Sequence, residues 1–199
     1  MTEDPALAAL ASEIRACVRC PLHSTRKNTV PGDGALGSVM VIGEGPGRNE
    51  DEQGLPFVGA AGHNLEVLLS EAGLSRGSVF ITNAVKCRPP ENRRPTRGEL
   101  DACHPFLRRQ IEAVAPRFIV LLGDTALKEF FPESTLGRAH GTSVRRGGLL
   151  FFPTYHPASV IYNPSLKDVV RDDFRKLGEL VRAQTLEGAV LRLSVWFLR

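Results

Sequence analysis

Four short, largely apolar runs recur along the chain, at residues 38–42, 79–85, 118–122 and 149–154, and a polar turn follows each of them. Continuous runs of this length, without strict alternation, are what strands buried on both faces require. Between the runs the apolar positions fall three or four apart instead. Ala6, Leu7, Leu10, Ile14 and Cys17 mark an amphipathic helix over residues 5–19, and Leu65, Leu68, Leu69 and Ala72 mark another over residues 60–73. Val169, Val170, Phe174, Leu177 and Leu180 give a last one over residues 167–183. Thr96 followed by Glu99 is a capping box that opens a helix reaching about residue 114. Asp124 is placed to cap a short helix ending near residue 131. Strands alternating with helices in this way predict an α/β single domain, a three-layer sandwich with a central four-stranded parallel sheet flanked by helices.

One stretch breaks the alternation. Residues 43–62, GEGPGRNEDEQGLPFVGAAG, follow directly on the first strand and hold six glycines, two prolines and the carboxylates of Glu44, Glu50, Asp51 and Glu52. Gly is costly to order and Pro lacks a donor, so the whole stretch is expected to be a loop. In a parallel sheet the loops at the carboxyl ends of the strands share one edge, where ligands bind. That edge should gather Glu44 and Phe57 after the first strand, Asn83 after the second and His156 after the fourth. So many acids make a poor phosphate cradle, which argues against the usual assignment for a Gly-rich loop.

Composition narrows the setting. The chain has 199 residues, 42% of them hydrophobic and 24% charged, as expected for one globular domain, here residues 1–183 with residues 184–199 as a C-terminal extension of unassigned role. The segment LRLSVWFLR at residues 191–199 is unusually apolar for a chain end and is expected to be a packed edge strand or an oligomer contact. No run approaches the roughly 20 apolar residues that span a bilayer, and the acidic N-terminus is unlike a secretory signal. A cytoplasmic monomer is expected, with reduced cysteines. The net charge of +3 says little about partners, although Arg93-Arg94 with Arg97, Arg108-Arg109 and Arg145-Arg146 could follow a phosphate backbone.

The four cysteines, Cys17, Cys20, Cys87 and Cys103, are spaced C-x2-C and C-x15-C. A reducing compartment disfavours a disulfide framework, and an all-thiolate set suits zinc or an iron-sulfur cluster. A zinc ribbon would require a second C-x2-C, which is missing; the spacing leaves the metal open.

Taken together, GEGPGRNEDEQGLPFVGAAG, ITNAVKCRPPEN, LLGDTAL, TYHPASVIYNP and the cysteine spacing resemble family 4 uracil-DNA glycosylases, the iron-sulfur branch of that superfamily, over residues 17–164. The resemblance implies hydrolysis of the N-glycosidic bond of uracil in single- or double-stranded DNA, leaving an abasic site for base excision repair. It implies that Cys17, Cys20, Cys87 and Cys103 hold a [4Fe-4S] cluster of structural role. Phe57 would stack on the flipped base and Asn83 would read the O4 and N3-H edge of uracil, which cytosine does not match. His156 would donate to uracil O2 as charge develops there. Glu44, with the backbone of Gly45 beside it, would position water and face the sugar. Glu50 would line the pocket where a thymine methyl group would intrude, and Asn92, which matches another polar position of the family, would be a further substrate contact. Ser159, Val160, Ile161 and Tyr162 would form the wedge that replaces the flipped nucleotide. Two departures stand out: Arg48-Asn49 where the family carries acids, and Tyr162 where an Arg is common.

Overall fold

The computed structural model describes the backbone of residues 4–196 and side chains from residue 4 to residue 184. In chain order the elements are α1 (Pro5–Arg15), β1 (Asp33–Gly34), β2 (Val39–Gly43), α2 (Arg48–Gln53), α3 (Ala60–Glu71), β3 (Phe80–Asn83), α4 (Arg97–Val114) and β4 (Phe118–Leu122). They continue with α5 (Gly123–Phe130), α6 (Leu136–Ala139), β5 (Val144–Arg146), β6 (Leu149–Thr154), α7 (Ser159–Tyr162) and α8 (Lys167–Trp196).

The sheet has six strands in the order β1-β3-β2-β4-β6-β5. Its four central strands are the four apolar runs, and every pairing among them is parallel. The expected four-stranded parallel sheet is therefore the middle of a larger mixed one. β1 pairs antiparallel with β3 at one edge and β5 pairs antiparallel with β6 at the other. Neither edge strand carries an apolar pattern, because β1 is two residues of turn type and all three residues of β5 are exposed.

Successive side chains of a strand point to opposite faces, so each central strand feeds two cores. Val39, Val41, Val120 and Phe152 meet Leu65 and Leu69 of α3 and Phe174 and Leu177 of α8. Met40, Ile42, Ile119 and Phe151 meet Leu107 of α4 and Ala126 and Leu127 of α5. Burial of one such Leu or Phe is worth about 1.5–3 kcal/mol, and the residues named here are almost wholly excluded from solvent. A third cluster joins Leu10 and Ile14 of α1 to Leu22, Val85, Phe106, Cys87 and Cys103.

Three local expectations change. The Gly-rich stretch is not all loop, since residues 48–53 form α2. That helix has no apolar period and is held by tertiary bonds. Asp51, 2% exposed, accepts the backbone N–H groups of Lys27 and Asn28 at 2.9 and 3.2 Å. Asp124 does not cap α5, whose N-cap is Leu122; it pairs with Lys128 at 3.0 Å instead. The backbone of α8 runs on through Trp196, so the edge-strand alternative for residues 191–199 gives way to helix as far as that residue, and residues 197–199 lie outside the described ones. The capping box at Thr96 is as expected, with Glu99 Oε2 accepting the Thr96 N–H at 2.8 Å. No helix of the described residues is long and apolar enough to cross a membrane.

Candidate active site

Parallel pairing sets the first half of the site. In the β2–β3 register Gly43 lies opposite Asn83, and the ladder continues past both strands, with Ala84 N–H donating to Gly43 O at 2.9 Å and Val85 N–H to Glu44 O at 3.2 Å. Glu44 is thereby fixed beside Asn83. On the other side, β4 and β6 run in register to Leu122 and Thr154, so the residues that follow them, Gly123 and His156, come close together. A Cβ added at Gly123 would lie 3.2 Å from that of His156.

These strand ends open into one cavity of about 550 Å³ lined by Glu44, Gly45, Glu50, Phe57, Asn83, Asn92 and His156, with Ile161 and Tyr162 at its mouth. Asn83 is 1% exposed, and its Oδ1 is buried with no hydrogen-bond partner. A buried carbonyl oxygen without a donor is costly, of order 1–3 kcal/mol, unless something arrives to supply one. The ring of Phe57 stacks on that of His156 with centroids 5.6 Å apart and planes 27° from parallel. Gly43 makes this packing possible, since a Cβ there would stand 2.4 Å from Asn83 Oδ1 and 2.7 Å from Phe57 Cζ.

The protonation state of His156 follows from its contacts. Ala158 N–H donates to Nδ1 at 3.1 Å, which makes Nδ1 the acceptor and leaves Nε2 to carry the proton. Burial pushes the imidazole down to about 4, against the nearby carboxylate of Glu50, so the ring is neutral at physiological pH. Glu44 accepts a hydrogen bond at Oε2 from Thr125 Oγ1 of α5. Glu50 spends both carboxylate oxygens on the loop itself. Oε2 accepts Gly47 N–H at 3.1 Å, and Oε1 accepts Val58 N–H and Gly59 N–H, each at 2.9 Å. Asn92 Oδ1 accepts Arg88 Nε at 2.7 Å on a backbone with φ of 56°.

The expected wedge divides. Ile161 and Tyr162 of α7 protrude, 48% and 87% exposed, whereas Val160 packs against the core beneath them and Ser159 Oγ donates to the carbonyl of His156 at 2.6 Å. Four residues in one helical turn cannot all face outward, and the half facing the domain anchors the half that does not. The arginine clusters are largely engaged. Arg93 holds Glu99 in a bidentate pair at 2.7 and 2.9 Å, which keeps that 4%-exposed carboxyl down at about 2. Arg109 pairs with Glu13, and Arg97 with Asp101 at 2.7 Å. Arg94, at the cleft rim, is 3.8 Å from Asp124. Arg94 and Asp124 line the cleft and Thr125 bonds Glu44 at its wall, and none of the three is marked for the site by its residue type alone. For Thr125 the signal was present in LLGDTAL, which opens a helix at a strand end.

The four cysteines form no disulfide with one another and line a second, small cavity of about 20 Å³ between α1, α4 and the turn after β3. Backbone and guanidinium N–H groups point at three of the sulfurs: Arg26 Nη1 to Cys87 at 3.2 Å, Lys86 N to Cys103 at 3.3 Å and Arg19 N to Cys17 at 3.5 Å. Burial pushes the Cys103 thiol up to about 11 and that of Cys87 upward as well. Among the described residues no group of three or more His, Cys, Asp or Glu is arranged to hold a metal ion.

Comparison with known proteins gives the site its context. The family model described as the uracil DNA glycosylase superfamily matches residues 32–177, which include every strand end of the cleft. The chain is 44% identical over 191 residues to the type-4 uracil-DNA glycosylase of Saccharolobus solfataricus, covering 90% of this chain and 88% of that one. It is 40% identical over 189 residues to the type-4 enzyme of Thermotoga maritima, covering 92% and 98%. Similarity to the type-5 uracil-DNA glycosylase of Pyrobaculum aerophilum is lower, 33% over 178 residues with 80% of this chain and 78% of that one. With a match of this extent and a cleft assembled at the carboxyl ends of its parallel strands, the chain belongs to the uracil-DNA glycosylase superfamily, on its type-4 branch.

Proposed function

We propose a division of labour among the cleft residues for the uracil-DNA glycosylase reaction. A uracil flipped out of DNA enters the cavity edge-on to Asn83 and stacks on Phe57. The observation that carries this reading is the buried, unpartnered Oδ1 of Asn83. Uracil N3 bears a hydrogen that satisfies it, whereas cytosine N3 is an acceptor and would leave two acceptors facing each other.

As the N1–C1′ bond breaks, its electron pair moves into the uracil ring and charge gathers on O2, where His156 Nε2–H donates. The imidazole stays neutral before and after, so it stabilises a developing anion without having first to lose a proton. Glu44 faces the sugar, where its carboxylate opposes the positive charge at C1′ and orients water for attack; the water supplies hydroxyl to C1′, and its proton leaves through the carboxylate. The departing uracil anion takes up the proton so released, and the products are free uracil and an abasic site. Glu50 shapes the pocket wall toward the position of a thymine methyl group by fixing the loop that carries Phe57. Ile161 and Tyr162 occupy the space vacated in the duplex.

Cys17, Cys20, Cys87 and Cys103 would together hold a [4Fe-4S] cluster. An all-sulfur donor set in one cavity and N–H groups aimed at the sulfurs suit such a group. When bound it supplies cross-links between α1, the turn after β3 and α4; no electron enters or leaves in hydrolysis. We further take the enzyme to act as a cytoplasmic monomer on single- and double-stranded DNA.

The test is uracil release from oligonucleotides with uracil or cytosine at one position, with Glu44→Ala and His156→Ala in parallel. Release confined to uracil and lost in both variants is expected. An iron-loaded wild-type protein that leaves every uracil in place would overturn the reading.

A further inference from the structure

Phe57 adopts a backbone conformation that a bulky residue rarely takes, with φ of 51°. Such strain persists only where the surroundings over-determine it. Here the determinants are two ions on opposite sides of one peptide. Arg76, which precedes β3 and lies outside the cleft lining, donates from Nη1 to Phe57 O at 3.0 Å and from Nη2 to Pro56 O at 2.5 Å. Glu50 Oε1 accepts Val58 N–H and Gly59 N–H. The Phe57–Val58 peptide thus has its oxygen held by a guanidinium and its N–H held by a carboxylate. The preceding peptide is held at its oxygen by the other arm of the same guanidinium. Gly62 closes the third side, since a Cβ there would lie 1.9 Å from Phe57 O.

Rotation of either peptide plane would swap an N–H for a C=O, placing like partial charges against an ion and changing the φ or ψ of Phe57. We propose that Arg76 is a positioning residue for the base: its guanidinium, opposed by Glu50, locks the two peptides that flank Phe57 and so holds the ring as a flat platform for uracil. The inference rests on the reading of Phe57 as the stacking surface. Arg76 touches no substrate and acts through the loop; its two planar donors match two successive carbonyls in a way one ammonium cannot.

The lock is tested by binding rather than turnover, with the iron-loaded full chain and two oligonucleotide probes. One carries 2′-fluoro-2′-deoxyuridine, which presents uracil but resists cleavage, and the other carries a tetrahydrofuran abasic analogue. Arg76→Met is expected to weaken binding of the fluorinated probe about tenfold, as for loss of a hydrogen bond to a charged group, and to leave the abasic probe unaffected. Arg76→Lys should fall between, and serves in its place if the Met variant does not fold. Phe57→Ala should show a similar loss, and the double variant should be no worse than Phe57→Ala alone, because both remove the same platform. Normal binding by the Arg76 variants beside a defective Phe57→Ala would overturn the lock and spare the platform. Equal losses on both probes, or additive losses in the double variant, would reduce Arg76 to general stability and also overturn it. If Phe57→Ala itself binds the fluorinated probe normally, platform and lock fall together.

Discussion

Thr125 donates its hydroxyl hydrogen bond to Oε2 of Glu44, joining the first turn of α5 to the residue that follows β2. The bond joins two elements that also pack directly, Met40 and Ile42 of β2 against Ala126 and Leu127 of α5, and it fixes the rotation of the carboxylate assigned to the sugar.

Removing that hydroxyl should disturb orientation rather than binding. Thr125→Val is expected to lower single-turnover cleavage about tenfold or more with little change in KM, and Thr125→Ser to restore most of it. A rise in KM at unchanged kcat would assign Thr125 to DNA binding instead.

His156 makes a statement about pH. Its value in the folded protein, about 4, lies below the ordinary 6.5, so the unfolded chain takes up the proton first as pH falls. The stability it contributes is complete above about pH 6.5 and is lost progressively between about 6.5 and 4. Thermal melts of wild type and His156→Asn should therefore converge or cross over that interval as pH is lowered. The same neutral ring predicts that kcat/KM of the wild type shows no His156 limb near 6.5, and that His156→Ala loses roughly 100- to 1000-fold in kcat.

Gly43→Ala should be among the most damaging small changes in the chain. Its methyl group would collide with both Asn83 Oδ1 and the Phe57 ring, so uracil release should fall by at least tenfold while circular dichroism stays that of a folded α/β protein. An active, folded Gly43→Ala enzyme would mean that the pair does not need its present spacing.

At α7 the expected split is between substrates. Tyr162→Ala and Ile161→Ala should slow release from double-stranded DNA several-fold more than from single-stranded DNA, because only a duplex leaves a gap to fill. Parallel time courses on the two substrates measure the ratio, and an unchanged ratio would remove these residues from the wedge.

Cys87→Ser or Cys103→Ser should yield protein with reduced iron content and weaker broad visible absorption, together with a lower Tm, since α1, the turn after β3 and α4 would lose their common tie. Full iron content in both variants would exclude these two as ligands.

The parts of the fold that could be read in advance are those whose signal is carried by the residues themselves. The runs at β2, β3, β4 and β6 are apolar because both faces are covered, α1, α3 and α8 repeat at helical spacing because one face is, and α4 announces itself by its capping box. β1, β5 and α2 escape that logic. Their residues are polar or exposed, and what makes them strands or helix is a partner: Ile81 and Phe80 for β1, Leu150 for β5, Lys27 and Asn28 for α2. The site divides in the same way. Glu44, Phe57, Asn83 and His156 converge because strand order dictates it. Arg76 has no local mark, since it acts on a residue far away in the chain, and Thr125, although it stands in LLGDTAL, takes its role from a partner 81 positions away. Glu50 lines the cleft as its place in the loop suggests, but its bonds to three backbone amides are invisible without the turn it closes.

The two antiparallel edges have one more consequence. Four parallel strands with apolar faces would by themselves end in open rows of backbone donors and acceptors, a template for other chains. Here part of each row is covered by a stub, Asp33–Gly34 against Phe80 and Ile81 on one side and Val144–Arg146 against Leu149 to Phe151 on the other, too short and too polar to propagate pairing. The central strands, whose register holds the cleft, are thus shielded in part from edge-to-edge pairing by five residues that contribute nothing to the core.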